Sequence, residues 1–281
     1  MAKPHSPVEE LLSCQRPLVI GHRGCCALAP ENTLPSFRLA LEAGVDLIEL
    51  DYHHSRDGVP VVIHDATLDR TTDARNKWRR SRVKVADKTA TEIQTLDAGS
   101  WFDKQFSGAK IPLLAEALDF ICGHGGIALI EHKAGDAETL VRLLRAGKLI
   151  NQVVVISFDW KFLREFHELE PTQVVGALGP PIRLASGRKP RRISKRLDAK
   201  WLINLAQTGA RVVVWNRQVS PTAVRRARQS GLRVWAYTVD KPSLATRLLA
   251  KGVNGLISNN PPLIQRDNLF RDPDCARLGT L

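Results

Sequence analysis

From residue 112 onward the chain repeats one unit, a helix-length amphipathic segment followed by a short apolar strand. Helices are expected at about 113–122, 137–149, 160–169, 197–207, 221–231 and 242–250. Strands are expected at 126–131, 152–157, 173–178, 211–215, 233–238 and 255–258. Upstream, Leu18-Val19-Ile20-Gly21 reads as a strand. A helix over 34–43 follows, capped by Asn32 or Thr33, with Pro35 in its first turn and Gly44 after its end. With one more strand at 47–52 the alternating strands number eight. Eight strands, mostly followed by helices over about 250 residues, predict an α/β fold, a TIM-type (β/α)8 barrel. The rival is a doubly wound open sheet, but no G-x-G-x-x-G follows the first strand.

Residues 47–65 are the chemically dense stretch. Leu47, Glu49 and Asp51 alternate with Ile48, Leu50 and Tyr52, so the two carboxylates share one side of a strand. Asp57-Gly58 signals a two-residue hairpin turn, with 59–63 as the returning strand. That register pairs Arg56 with Val59 and sets Asp51 opposite His64, with Asp65 alongside. Residues 66–110 are polar and weakly periodic, and read as an insertion without a core of its own. The expected organisation is an N-terminal tail at 1–16, a barrel at 17–265 carrying that insertion, and a C-terminal tail at 266–281.

No run reaches the roughly 18 apolar residues of a membrane span. The first 17 residues carry Glu9 and Glu10 and lack the apolar centre of a secretory signal. Five cysteines, an odd number at no metal-finger spacing, read as thiols of a cytoplasmic protein. The net charge is +12, and residues 183–200 hold eight basic side chains against one acid. Such a stretch forms a solvated loop or meets nucleic acid, an anionic membrane surface or anionic metabolites. No zinc finger or RNA-binding aromatic motif accompanies it, so nucleic acid is not expected as a partner.

In a barrel of this kind the chemistry sits at the C-terminal strand ends. Those ends bring His22-Arg23, Glu49 and Asp51, Glu131-His132-Lys133, Ser157-Phe158, Trp235 to Thr238 and Ser258-Asn259. Glu49, Asp51 and Glu131 make an oxygen-rich site for a hard divalent cation, Mg²⁺ or Ca²⁺. Arg23 and Lys133 add the positive charge that a phosphate oxyanion requires. His22 and His64 complete the set as a proton-transfer pair.

The chain resembles the glycerophosphodiester phosphodiesterase family. The matching stretches are Gly21-His22-Arg23-Gly24, Pro30-Glu31-Asn32-Thr33, Ile48 to Asp51, Asp57 to Asp65 and Leu68 to Thr72. Others are Leu96 to Phe102, Ile111 to Leu114, Ile130 to Lys133, Val234 to Val239 and Gly252 to Ile257, covering about 17–262 in all. The resemblance implies a metal on Glu49, Asp51 and Glu131, and His22 and His64 as general acid and base. It implies phosphate held by Arg23 and Lys133 in a pocket walled by Phe158 and Trp235. The implied reaction hydrolyses a glycerophosphodiester to an alcohol and sn-glycerol 3-phosphate, the substrate's own 2-hydroxyl first giving a cyclic phosphate. The sequence departs from the family pattern at Asn254 and at Asn259-Asn260, where acids are common. Cys25-Cys26 read as small loop fillers. A lysophospholipase D-like enzyme and a silent phosphodiester-binding barrel are the alternatives; no catalytic position is lost here, which speaks against the second.

Overall fold

In the computed structural model, residues 6–191 and 194–265 are described. The strands are β1 (Leu18–Gly21), β2 (Leu47–His54), β3 (Pro60–Val62), β4 (Ala128–His132) and β5 (Val153–Ser157). They continue as β6 (Val175–Gly179), β7 (Val212–Asn216), β8 (Arg233–Tyr237) and β9 (Gly255–Ser258). Eight of them hydrogen-bond in the order β1-β9-β8-β7-β6-β5-β4-β2, and a β1–β2 pairing closes the ring. All eight are mutually parallel, so the chain forms a closed (β/α)8 barrel. β3 stands outside the ring as an antiparallel excursion on β2.

The hairpin register differs from the expected one by a residue. Tyr52 pairs with Val62 and His54 with Pro60, so Ile63, not His64, faces Asp51. The turn holds three residues rather than two. Ser55 N–H donates to Val59 O (3.0 Å), and Gly58 takes the left-handed φ of 76° that closes such loops. The Asp57 carboxylate accepts from the Ser55 hydroxyl and from Ala90 N–H, which ties the turn to the insertion.

Alternation inside the barrel separates floor from mouth. Inward-facing positions read Leu18 and Ile20 on β1 with His22 just past it; Leu47, Glu49, Asp51 on β2; Leu129 and Glu131 on β4 with Lys133 just past it; Val154 and Ile156 on β5 with Phe158 just past it. The lower positions are mainly apolar and form one buried cluster, with Arg233 at the base of β8 donating to Cys14 O; Glu49, Asp51, Glu131 and Lys133 occupy the upper positions. Pro7–Ser13, within the segment expected to be a tail, is a helix. Ser6 accepts from Glu9 N–H at its start, and Val8, Leu11 and Leu12 bury themselves in the floor cluster. Arg211 pairs with Glu9, and Arg16 with Asp46, at the edge of this plug.

The outer helices pack by the usual stripe. Ala137–Ala146 is capped by Asp136, which accepts from Thr139 N–H at 2.7 Å, and buries Ala137, Leu140, Val141 and Leu144. The insertion, unlike its expected reading, has a small core. Leu68, Ala74, Val83, Val85, Ile93 and Leu96 cluster with Val61 and Ile63 of the hairpin.

Candidate active site

Glu49, Asp51 and Glu131 each offer an oxygen within 4.8 Å of the others, and all three are buried. Glu49 Oε1 is buried with no hydrogen-bond partner, aimed at two further carboxylates. Such a buried oxygen cluster suits a hard cation. Burial, then the charges of Asp51 and Glu131, lift the Glu49 carboxyl well above the ordinary range. Burial and Asp51 likewise raise Glu131 to about 7. Burial pushes Asp51 the same way, but Lys133, Arg23 and other neighbours overcome it and hold Asp51 at about 2. The three acids therefore suit binding of positive charge far better than mutual company.

Two cations supply part of that charge. Lys133 pairs with Glu131 and lies 3.1 Å from Asp51 Oδ1. Arg23 Nε lies 3.4 Å from Asp51 Oδ2, while its Nη1 donates to Glu31 at 2.8 Å. Arg23 itself has φ 50°, a left-handed backbone that turns its N–H onto Glu49 Oε2 at 2.7 Å. That conformation costs a non-glycine residue about 1–2 kcal/mol.

The histidines sit in contrasting environments. His22 Nδ1 is 2.6 Å from Asn259 Oδ1. Asn259 is oriented by Asp240, which accepts from its Nδ2–H and backbone N–H, both at 2.8 Å. The amide oxygen thus faces His22, whose proton must reside on Nδ1, leaving Nε2 as an acceptor 4.0 Å from Glu49 Oε2. Burial first, and Arg23 second, push its pKa below the usual imidazole value. His64 Nδ1 instead meets a carboxylate, Asp65 Oδ1, at 2.6 Å, and His53 Nε2 braces the His64 carbonyl at 3.0 Å.

Of the residues expected at the site, His22, Arg23, Glu49, Asp51, Glu131 and Lys133 converge. His64 lies close enough to act electrostatically on Asp51 and His22. Phe158 is half-buried and meets Tyr237 edge-on, with centroids 5.9 Å apart. Trp235 lies one layer deeper, wholly buried among the floor residues, in space that Gly255 leaves open: a Cβ there would come within 2.3 Å of the indole. The mouth position of β8 belongs to Tyr237, whose hydroxyl donates to Gly179 O. Asn32 is not a helix cap; its amide donates to Asp51 Oδ2 (2.9 Å) and accepts from Asp51 N–H. Thr33 occupies the cap position, but its hydroxyl donates to Pro30 O. Asn254 is structural, accepting from Val234 N–H to tie β9 to β8. Cys26 donates its thiol proton to Asn259 Oδ1 at 3.0 Å, and burial pushes that thiol up to about 12. No disulfide forms among the described residues. Part of the basic 183–200 stretch is fixed at the mouth end of β7, where Lys195 O accepts from Trp215 Nε1 and Asn216 Nδ2. Its Arg192 lies outside the described residues.

A (β/α)8 barrel whose mouth gathers three carboxylates, two histidines, an arginine and a lysine has the make-up of a class, the phosphodiester-hydrolysing barrels. The chain belongs to the glycerophosphoryl diester phosphodiesterase family, whose model matches residues 22–263. It is 31% identical over 250 residues to the glycerophosphodiester phosphodiesterase of Caldanaerobacter subterraneus subsp. tengcongensis, covering 87% of this chain and 94% of that one. It is 32% identical to the Bacillus subtilis glycerophosphodiester phosphodiesterase, over 91% of this chain and 88% of that one. Among solved structures, an Oleispira antarctica phosphodiesterase in complex with the product sn-glycerol-3-phosphate superposes with TM-score 0.77 and 27% identity, covering 90% and 97% of the two chains.

Proposed function

We propose that this protein is a divalent-metal-dependent glycerophosphodiester phosphodiesterase releasing sn-glycerol 3-phosphate and an alcohol. The observation that carries the reading is the buried Glu49–Asp51–Glu131 cluster beside two differently held histidines. A Mg²⁺ or Ca²⁺ ion on those carboxylates would act as a Lewis acid toward a phosphoryl oxygen and acidify a neighbouring hydroxyl. Arg23 and Lys133, both part-buried, hold the phosphate oxyanion. His22 presents an unprotonated Nε2 and serves as the base for the substrate's 2-hydroxyl. His64, its Nδ1 held by Asp65, gives a proton to the departing alkoxide. The product of that step is a cyclic phosphate, which water opens with the histidine roles reversed. Phe158 and Tyr237 flank the glycerol side.

The preferred substrates are soluble, deacylated diesters. The basic residues of 183–200 steer anions to the mouth, so kcat/KM falls as salt rises. A cytoplasmic setting, in which the cysteines stay reduced, accompanies this reading. One observation favours the lysophospholipase D-like alternative: Leu28 and Ile182, on mouth-side loops after β1 and β6, are 46% and 60% exposed. No helix among the described residues is long and apolar enough to cross a membrane. The test is glycerol 3-phosphate release from glycerophosphocholine and lysophosphatidylcholine, with and without chelator. Chelation should abolish turnover and Mg²⁺ or Ca²⁺ restore it, with glycerophosphocholine preferred. A preference for the acylated substrate moves the assignment to the alternative, and full turnover after exhaustive chelation refutes the metal role.

A further inference from the structure

Arg70 stands in the Leu68 to Thr72 stretch of the insertion, and its guanidinium spans two carboxylates from different parts of the chain. Nε and Nη2 donate to Asp65 Oδ2 and Oδ1 at 2.6 and 3.1 Å. Nη1 and Nη2 donate to Glu31 Oε2 and Oε1, both at 2.8 Å. Each carboxylate also holds a second group. Asp65 Oδ1 meets His64 Nδ1 at 2.6 Å, and Glu31 Oε1 accepts from Arg23 Nη1 at 2.8 Å. The result is one line of contacts, His64–Asp65–Arg70–Glu31–Arg23, in which acids alternate with bases.

Asp65 lies just past the hairpin and Glu31 in the loop after β1, so no shared secondary structure fixes their separation. Without the guanidinium the two acids face each other with like charge, and each loses the partner that sets its carboxylate plane. A planar, five-donor fork can give two hydrogen bonds to each acid at once; an ammonium, with three donors on one atom, cannot. Asp69 and Arg75, close by in the same segment, pair with each other away from this line.

We propose that Arg70 is a positioning residue through which the insertion, anchored on Glu31, aims His64 by way of Asp65 at the leaving alcohol. The proposal rests on His64 being the proton donor to the leaving alcohol, and the experiment separates the two. Arg70→Ala, Arg70→Lys, His64→Ala and, as a control, Arg75→Ala are assayed on glycerophosphocholine and on the p-nitrophenyl ester of glycerol phosphate. The p-nitrophenolate leaves without a proton; the choline alkoxide does not.

Loss of a supporting partner typically lowers activity by roughly 10–100-fold. That loss is expected in kcat for Arg70→Ala on glycerophosphocholine, with a much smaller loss on the p-nitrophenyl ester and an unchanged melting temperature. Arg70→Lys should stay impaired, millimolar guanidinium chloride should restore part of the Arg70→Ala rate, and Arg75→Ala should match wild type. Equal losses on both substrates, where His64→Ala discriminates between them, would overturn the proposal; so would full activity of Arg70→Lys. If His64→Ala fails to discriminate, the proton-donor assignment falls. Positioning is then decided by guanidinium rescue and by combining Arg70→Ala with Asp65→Asn, where additive losses and no rescue refute it.

Discussion

The floor and the mouth of this barrel are built from the same strands and the same alternation, yet they obey opposite rules. On β2, Leu47 points inward at the bottom, wholly buried among Leu18, Ile20, Leu129 and the plug residues Leu11 and Leu12. Two and four residues on, Glu49 and Asp51 point inward at the top, just as buried, with a third acid beside them. The floor gains from excluding water. The mouth buries like charges together, and Lys133 and Arg23 offset only part of their repulsion. Stability and chemistry thus occupy successive inward positions of the same strands, Leu47 below and Glu49 and Asp51 above.

Mouth variants should therefore lose turnover and keep the fold, while floor variants do the reverse. The largest expected effect is at the histidines. His22→Ala and His64→Ala should each lower kcat by roughly 10²–10⁴-fold, the usual weight of a positioned proton-transfer group. Their melting temperatures should stay near wild type. If either keeps wild-type turnover, that histidine is a bystander. At the floor, Leu129→Ala removes a fully buried side chain, and urea titration should show a loss of about 2–5 kcal/mol. The folded fraction should retain its kcat. A matching collapse of kcat at full folding would erase the distinction between the layers.

The insertion sharpens the contrast, because it sits on the mouth side but is held together by its own contacts. Asp97 is the hub, accepting from Gly99 N–H, Ser100 N–H, the Ser100 hydroxyl and Gly108 N–H. Burial would raise its carboxyl, but these hydrogen bonds prevail and leave the folded-state pKa below the ordinary 3.8. The stabilisation is therefore complete above that value and is lost as pH falls through the folded pKa. Asp97→Asn should destabilise the protein by about 1–3 kcal/mol at neutral pH. In acid the gap from wild type should narrow; a gap constant with pH would show that charge plays no part.

The barrel was legible because its strands are short apolar runs and its helices carry clear stops, and local pattern suffices for both. Glu49 with Asp51, and Glu131 with Lys133, were legible for the same reason: strand parity alone places each pair on one side. What failed was finer. Asp57-Gly58 alone predicts a two-residue turn, and one extra loop residue shifts the pairing so that Ile63 meets Asp51. The resemblance gives Trp235 as a pocket wall, but it is buried in the floor, and the mouth position is Tyr237, two residues on and facing the same way. The helix at Pro7–Ser13 carries a start signal in Ser6, Pro7 and Glu9, but at seven residues it is too short to show a periodic apolar face. Least legible were the pairings across the fold. Asn32 with Asp51, Arg70 with Glu31, and Asn259 with His22 join residues 19, 39 and 237 apart, and nothing local encodes them.

Melting of wild type and Glu49→Gln, each with and without Mg²⁺ or Ca²⁺, tests the opposition of floor and mouth most directly. The account predicts a crossover. Without metal, Glu49→Gln should melt higher than wild type, because one of three crowded acids is gone. With metal at about 100 times its dissociation constant, wild type should gain about 2.7 kcal/mol and the variant little. Wild-type melting indifferent to divalent metal, in an enzyme that turns over fully in chelator, would contradict it.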